Sequence, residues 1–135
     1  MSSRTIEEIR DYFAGDKYAM ETTGVEILEA EEGYCKVRLC ADERHRNAAG
    51  RIMGAVYYTM ADFAFAVACN AQLKEPVSFT LDSRISFLQA ARSSVLFAEA
   101  KVVRSGGKIS FYTIEVTDDT GTLVAAVYST GYRPG

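Results

Sequence analysis

From Val77 onward, apolar side chains recur at every second position. Val77, Phe79, Leu81, Ile85 and Phe87 alternate with polar neighbours, and Leu96, Ala98, Ala100 and Val102 share one face of the next run. The turns Arg104-Ser105-Gly106-Gly107 and Asp119-Thr120-Gly121 set off a strand over 109–117 from one over Leu123–Tyr132. Alternation bounded by such turns predicts half-buried antiparallel strands, here four of them. Residues 23–40 carry the same pattern around Glu31-Glu32-Gly33, with Cys35, Val37 and Leu39 on one face. Two more strands are expected there.

Two stretches follow a different rule. Over 1–15, Ile6, Ile9, Tyr12 and Phe13 recur at helical spacing. Ser3 or Thr5 is placed to cap this helix, and Glu7 and Glu8 suit its first turn. The second stretch, 53–73, is apolar on every side, rich in alanine, free of proline and opened by Gly54. Its only charged residue is Asp62. Such a helix is either a membrane span or the buried axis of a globular fold. Asp62, Tyr57, Tyr58, Thr59, Asn70 and Gln72 make it a poor lipid-facing segment, so no membrane span is expected. The economical alternative is an α+β domain over 1–135, with a curved antiparallel sheet wrapped around one long central helix. One sheet covers only part of a helix, which makes a second copy of the sheet a natural cover for the rest.

Composition narrows the partners. A chain of 135 residues with 48% hydrophobic and 24% charged residues is globular. The net charge of −3 and the lack of Lys/Arg runs argue against nucleic acid. Three cysteines, Cys35, Cys40 and Cys69, form neither a disulfide framework nor a CxxC pair, and the charged N-terminal segment has no apolar leader. A cytoplasmic location is expected. His45 is the sole histidine, which excludes paired-His metal sites, and the lack of a GxSxG elbow counts against an α/β-hydrolase esterase. No metal or separate cofactor is predicted.

An aspartate inside an apolar helix is costly to ionise and needs a partner or a task. The surrounding motif suggests which. His45-Arg46-Asn47-Ala48-Ala49-Gly50-Arg51-Ile52-Met53-Gly54-Ala55, followed by Met60-Ala61-Asp62, resembles the HxNxxGxxHGG…LAD signature of the PaaI-like acyl-CoA thioesterases of the hotdog superfamily. Phe79-Thr80-Leu81-Asp82 and Ile85-Ser86-Phe87-Leu88 are similar to that family's TxDxxIxFL strand, and the likeness extends over roughly 20–132. Two positions depart from the signature: Met53 and Ala55 stand for a His and a Gly, and Gln89-Ala90-Ala91 stands where a proline often follows.

The resemblance implies hydrolysis of an acyl-CoA thioester, with CoA as part of the substrate. It implies Asp62 as general base or nucleophile, the Gly54 backbone N–H as oxyanion donor, and Asn47 as an orienting group. Thr80 matches a hydroxyl near the acid. Met53, Ala55 and His45 fall at substrate-binding positions, although a solvated loop histidine is an equally simple account of His45. Arg104, Gly106 and Lys108 form a basic turn that suits a CoA phosphate, or simply a hairpin, and Arg84 and Arg92 are further phosphate candidates. The substituted His leaves a non-catalytic acyl-CoA-binding protein as the alternative. Geometry adds the assembly. Asp62 lies eight residues beyond Gly54, about 12 Å along a helix. One helix cannot easily present both to one carbonyl, so a homodimer sharing two sites is expected, with a dimer of dimers as the larger assembly.

Overall fold

The structure, a computed structural model, describes residues 3–135. It contains helix α1 (Ile6–Phe13), strands β1 (Glu26–Glu31) and β2 (Tyr34–Cys40), the central helix α2 (Gly54–Cys69), and strands β3 (Phe79–Phe87), β4 (Val95–Ser105), β5 (Ile109–Asp118) and β6 (Leu123–Tyr132). The strands form one antiparallel sheet in the order β1-β2-β4-β5-β6-β3, and it wraps α2 as the pattern predicts.

Local chemistry sets each boundary. Thr5 rather than Ser3 caps α1: its Oγ1 accepts the Glu8 N–H, and the Glu8 carboxylate accepts the Thr5 N–H in return. Ile9 and Phe13 anchor the helix in the core. One turn of π-helix (Tyr18–Thr23) follows, ending at Gly24 with φ of 88°. Nothing in the hydrophobic period announced it.

Helix α2 is buried nearly all round, with Met60, Ala61, Ala64, Phe65, Val67 and Ala68 lost to solvent. Small residues face small residues where it meets the sheet, since Ala98 and Ala100 of β4 are also fully buried. The absence of long side chains there lets helix and sheet approach closely. Among the described residues no helix is long and apolar enough to cross a membrane.

The helix stops at Cys69, four residues short of the expected 73. Asn70 ends it. Its side-chain Nδ2 donates to the carbonyls of Ala66 and Ser78, and its Oδ1 accepts the Ser78 N–H, which ties the chain to the approach to β3. Arg133 closes the same end by donating to the Cys69 carbonyl.

Two strands depart from simple alternation. Val102 has the parity of Leu96, Ala98 and Ala100, yet it packs over the turn at Gly33, where an added Cβ would lie 2.9 Å from its side chain. In β3 the pairing with β6 shifts between Thr80 and Asp82. That irregularity reverses the expected face: Phe79 and Leu81 are exposed, while Thr80, Ser83 and Ile85 are partly covered. As a result, the edge strand β3 shows solvent several large apolar side chains and turns a hydroxyl inward.

Candidate active site

Strand β2 hands over to α2 through residues 41–53, and the loop is held from inside. His45 is buried: its Nδ1 accepts the Asp42 N–H at 2.9 Å and its Nε2 donates to the Thr23 carbonyl at 2.7 Å. With both ring nitrogens used, it is a staple joining this loop to the π-turn. The expectations of a solvated loop residue and of a substrate contact through the ring are both corrected. Asn47 is exposed, and its Oδ1 accepts the backbone N–H groups of Ala49 and Arg51. That arrangement orients the amide and leaves Nδ2 without a partner among the described residues.

At the start of α2 the N-cap is Met53, which offers no capping side chain. Its own N–H goes to the His45 carbonyl, and the Val56 N–H returns to the Met53 carbonyl. Between them, the N–H groups of Gly54 and Ala55 have no acceptor among the described residues. A helix start with two free N–H groups carries partial positive charge. Gly54 is required here for space: a Cβ would sit 2.8 Å from the Phe87 ring. The aromatic ring occupies that side of the helix start. Met53 and Ala55 stay exposed beside it.

Gly54 lies against a cavity of about 780 Å³ whose other walls include Asn47, Tyr57, Phe87, Arg46, Arg51 and Arg92. The arginine-bearing 90–94 segment is held by Asp118. This carboxylate, 2% exposed, accepts the N–H groups of Arg92, Ser93, Thr120 and Thr122 and the Thr120 hydroxyl. Burial works to raise its pKa, but the bonds from Thr120, Arg92 and Thr122 outweigh it and hold the carboxyl down to about 2.

Asp62 is half-buried on another side of α2, and Thr80 Oγ1 donates to its Oδ1 at 3.1 Å. Burial pushes the carboxyl above the usual aspartate range, and the Thr80 bond only partly offsets that. It faces a separate cleft of about 470 Å³, walled by Tyr58, Thr59, Phe63 and Ala66 of α2 and by residues 16–19. Asp16 on the far wall is raised as well, by burial and then by the charge of Asp62. The structure therefore joins Thr80 to Asp62, and Asn47 to Gly54, but keeps the two groups in different cavities of one chain.

Other expected groups lie elsewhere. Arg104, Gly106 and Lys108 line neither cavity. Gly106 and Lys108 border a pocket of only about 60 Å³ that also contains Glu32, and the Gly106 N–H is spent on the Ile109 carbonyl. The turn lies on the surface apart from both cavities, and the hairpin account explains its bonding. Burial pushes the Cys69 thiol up to about 12, so it is a packing residue and no nucleophile. Phe87 and Asp16 were not expected at the site. Phe87 looked like one more inward residue of an alternating strand, and nothing local distinguishes Asp16.

The thioesterase superfamily model matches residues 49–125, from just before the start of α2 into β6. The chain belongs to the thioesterase superfamily. It is a thioester hydrolase of PaaI-like type with the hotdog fold. A protein of Archaeoglobus fulgidus with a provisional esterase name is 34% identical over 97% of this chain and 84% of its own. The acyl-coenzyme A thioesterase PaaI of Escherichia coli is 26% identical over 100% of this chain and 95% of its own. The structure of the Escherichia coli PaaI protein from the phenylacetic acid degradation operon superposes with a TM-score of 0.82 at 24% identity, covering 97% of both chains. That last likeness concerns the thioesterase fold alone.

Proposed function

We propose that this thioesterase hydrolyses acyl-CoA esters at sites formed between two copies of the chain. The observation that carries the reading is the separation, along one helix, of the unpaired Gly54 N–H from the half-buried Asp62 carboxylate, each open to its own cavity. An oxyanion donor works within about 3 Å of the developing charge, and a base must reach the attacking water at hydrogen-bond distance. Eight residues of helix, about 12 Å, separate the two groups. Two antiparallel copies of α2 about a two-fold axis bring Gly54 of one protomer to Asp62 of the partner subunit. The exposed Phe79, Leu81 and Phe87 on the edge strand β3 support a second sheet there. A dimer of dimers is compatible with the same site.

In this reading the thioester carbonyl accepts hydrogen bonds from the free N–H groups at the start of α2. Asp62 takes a proton from water as the oxygen attacks the carbonyl carbon, and the tetrahedral oxyanion collapses to expel CoA as its thiol(ate). Direct attack by the carboxylate, through an anhydride that water then opens, uses the same atoms. Thr80 holds the Asp62 rotamer and helps keep it ionised, and the spare Asn47 Nδ2 orients the thioester or water. Met53 and Ala55 line the approach. The name of the Escherichia coli relative supports the CoA carrier. Three unpaired cysteines support a cytoplasmic setting.

The test is Asp62→Asn, purified with its assembly verified by sedimentation and assayed over short, long and aromatic acyl-CoA esters. A fall of about two to four orders of magnitude in kcat is expected for the loss of a base. Unchanged turnover would remove Asp62 from the mechanism.

A further inference from the structure

The loop that delivers the start of α2 has almost no core of its own. Among the described residues from Cys40 to Ala55, only His45 is buried. The segment closes on itself as a small hairpin. The Met53 N–H donates to the His45 carbonyl at 2.9 Å, Arg46 bridges to Ile52, and the Asn47 N–H donates to the Arg51 carbonyl at 2.7 Å. His45 and Met53 therefore form the base of the hairpin. Met53 is also the N-cap, the residue just before the free N–H groups of Gly54 and Ala55. How the base is seated sets the direction in which those N–H groups point.

An apolar side chain would seat the base by burial alone, which has no preferred direction. A buried imidazole is costly unless both nitrogens are satisfied, and once satisfied it fixes orientation as well as depth. Here Nδ1 accepts the Asp42 N–H within the same turn, and Nε2 donates to the Thr23 carbonyl of a different element. Arg44 reinforces the second link. Its guanidinium donates to the Thr22 carbonyl at 3.1 Å and lies 3.4 Å from the Asp42 carboxylate. Of the two ring bonds, only the one to Thr23 ties the hairpin to the body of the protein. The Asp42 bond shapes the turn locally.

We propose that His45 is a positioning residue for thioester hydrolysis, which acts through the Met53 backbone to aim the free Gly54 and Ala55 N–H groups at the thioester oxygen. The proposal rests on the acyl-CoA reading above. An oxyanion donor works because it is held in place before charge develops, and a misplacement of about 1 Å is enough to cost a hundredfold in rate. Tilting the helix start weakens the donors while leaving the rest of the substrate's contacts in place. The loss therefore belongs to kcat and is alike for short, long and aromatic acyl groups. Side-chain length separates the two ring bonds. Asn places an acceptor near Nδ1 but cannot reach Thr23, whereas the Gln amide N–H stands near Nε2 and reaches the Thr23 carbonyl.

Turnover and spectroscopy test this with three variants of verified assembly, His45→Leu, His45→Asn and His45→Gln. In turnover, Leu and Asn should lower kcat about ten- to hundredfold with KM changed by less than about twofold, and Gln should keep kcat within about threefold of wild type. Simple packing would instead let Leu, which fills the site, perform as well as Gln. The second readout needs no hydrolysis. In an Asp62→Asn background, the infrared carbonyl stretch of a bound acyl-CoA with an isotope-labelled carbonyl reports the hydrogen bonds at the thioester oxygen. It should fall below that of the free ester, and adding His45→Leu should remove at least half of the shift while His45→Gln preserves it. No shift in the Asp62→Asn parent would defeat the oxyanion reading and this proposal with it. A shift in the parent that survives His45→Leu, equal behaviour of Leu and Gln, or a loss confined to KM would overturn the role of His45 alone. If the Leu variant does not assemble, Asn against Gln makes the same comparison.

Discussion

The hydroxyl of Thr80 on β3 donates to Oδ1 of Asp62 on α2 across 3.1 Å, linking an edge strand to the middle of the buried helix. The bond stabilises the charged form of a carboxylate that burial would otherwise protonate more readily. If Asp62 acts as its carboxylate, activity falls with decreasing pH through its raised pKa. Thr80→Val removes the stabilising donor, so the acid limb of kcat should move to higher pH. A limb that stays in place or moves down would detach Thr80 from the ionisation of Asp62.

The same pKa shift predicts a conflict between stability and activity. A carboxyl whose folded pKa exceeds its unfolded value binds more protons in the folded state. Its stabilising contribution is present below the unfolded pKa and is lost as pH rises through the folded value. At neutral pH the ionised Asp62 therefore weakens the fold, and Asp62→Asn should raise Tm or leave it unchanged while turnover collapses. Thermal melts at pH 7, compared with melts near pH 4 where the two proteins should converge, check this.

Complementation tests the shared site. Gly54→Pro removes the N–H at a helix position where proline is well tolerated, although its ring also presses on Phe87. Each of Gly54→Pro and Asp62→Asn should be nearly inactive alone. Heterodimers of the two contain one site with both groups intact, so mixing by co-expression should restore activity to a sizeable fraction of wild type. No recovery in verified heterodimers would falsify the between-copies site.

Gly54→Ala asks a narrower question. The added Cβ meets the rim of the Phe87 ring at 2.8 Å, so the ring must swing into the cavity. A loss of about ten- to hundredfold in kcat/KM is expected from disturbed positioning. Combining it with Phe87→Leu should recover part of the loss, the non-additivity that contact predicts.

Asp118 gives an acid-stability prediction of opposite sign to Asp62. Its folded pKa is depressed to about 2, so its contribution is present above the unfolded value and disappears as pH falls toward 2. Asp118→Ala strands several partly buried N–H donors and should cost about 2 kcal/mol in urea denaturation at pH 7. At pH 2 the difference from wild type should shrink.

Much of the protein was decided locally. Alternation at Cys35, Val37 and Leu39, and again at Leu96, Ala98 and Ala100, predicted strands because those side chains have one apolar face to bury. The unbroken apolar run at 53–73 predicted a buried helix, and its isolated Asp62 marked an unusual position. An offset of eight positions from Gly54 to Asp62 was enough to separate the two groups, since helical rise depends on nothing else.

Tertiary structure decided what local pattern cannot carry. The end of α2 at Cys69 depends on Asn70 finding Ser78, and the burial of His45 depends on the Thr23 carbonyl. The β3 irregularity turned Thr80 toward Asp62 and put Phe79 and Leu81 outside, an outcome of pairing with β6. Arg46, Arg51 and Arg92 became a single wall only because the 90–94 segment folds back, on the Asp118 carboxylate, against the loop before α2. Periodicity reports which face of an element is apolar. Which residues from distant segments meet is set by packing and by the pairing of buried polar groups, and the candidate site is built from such meetings.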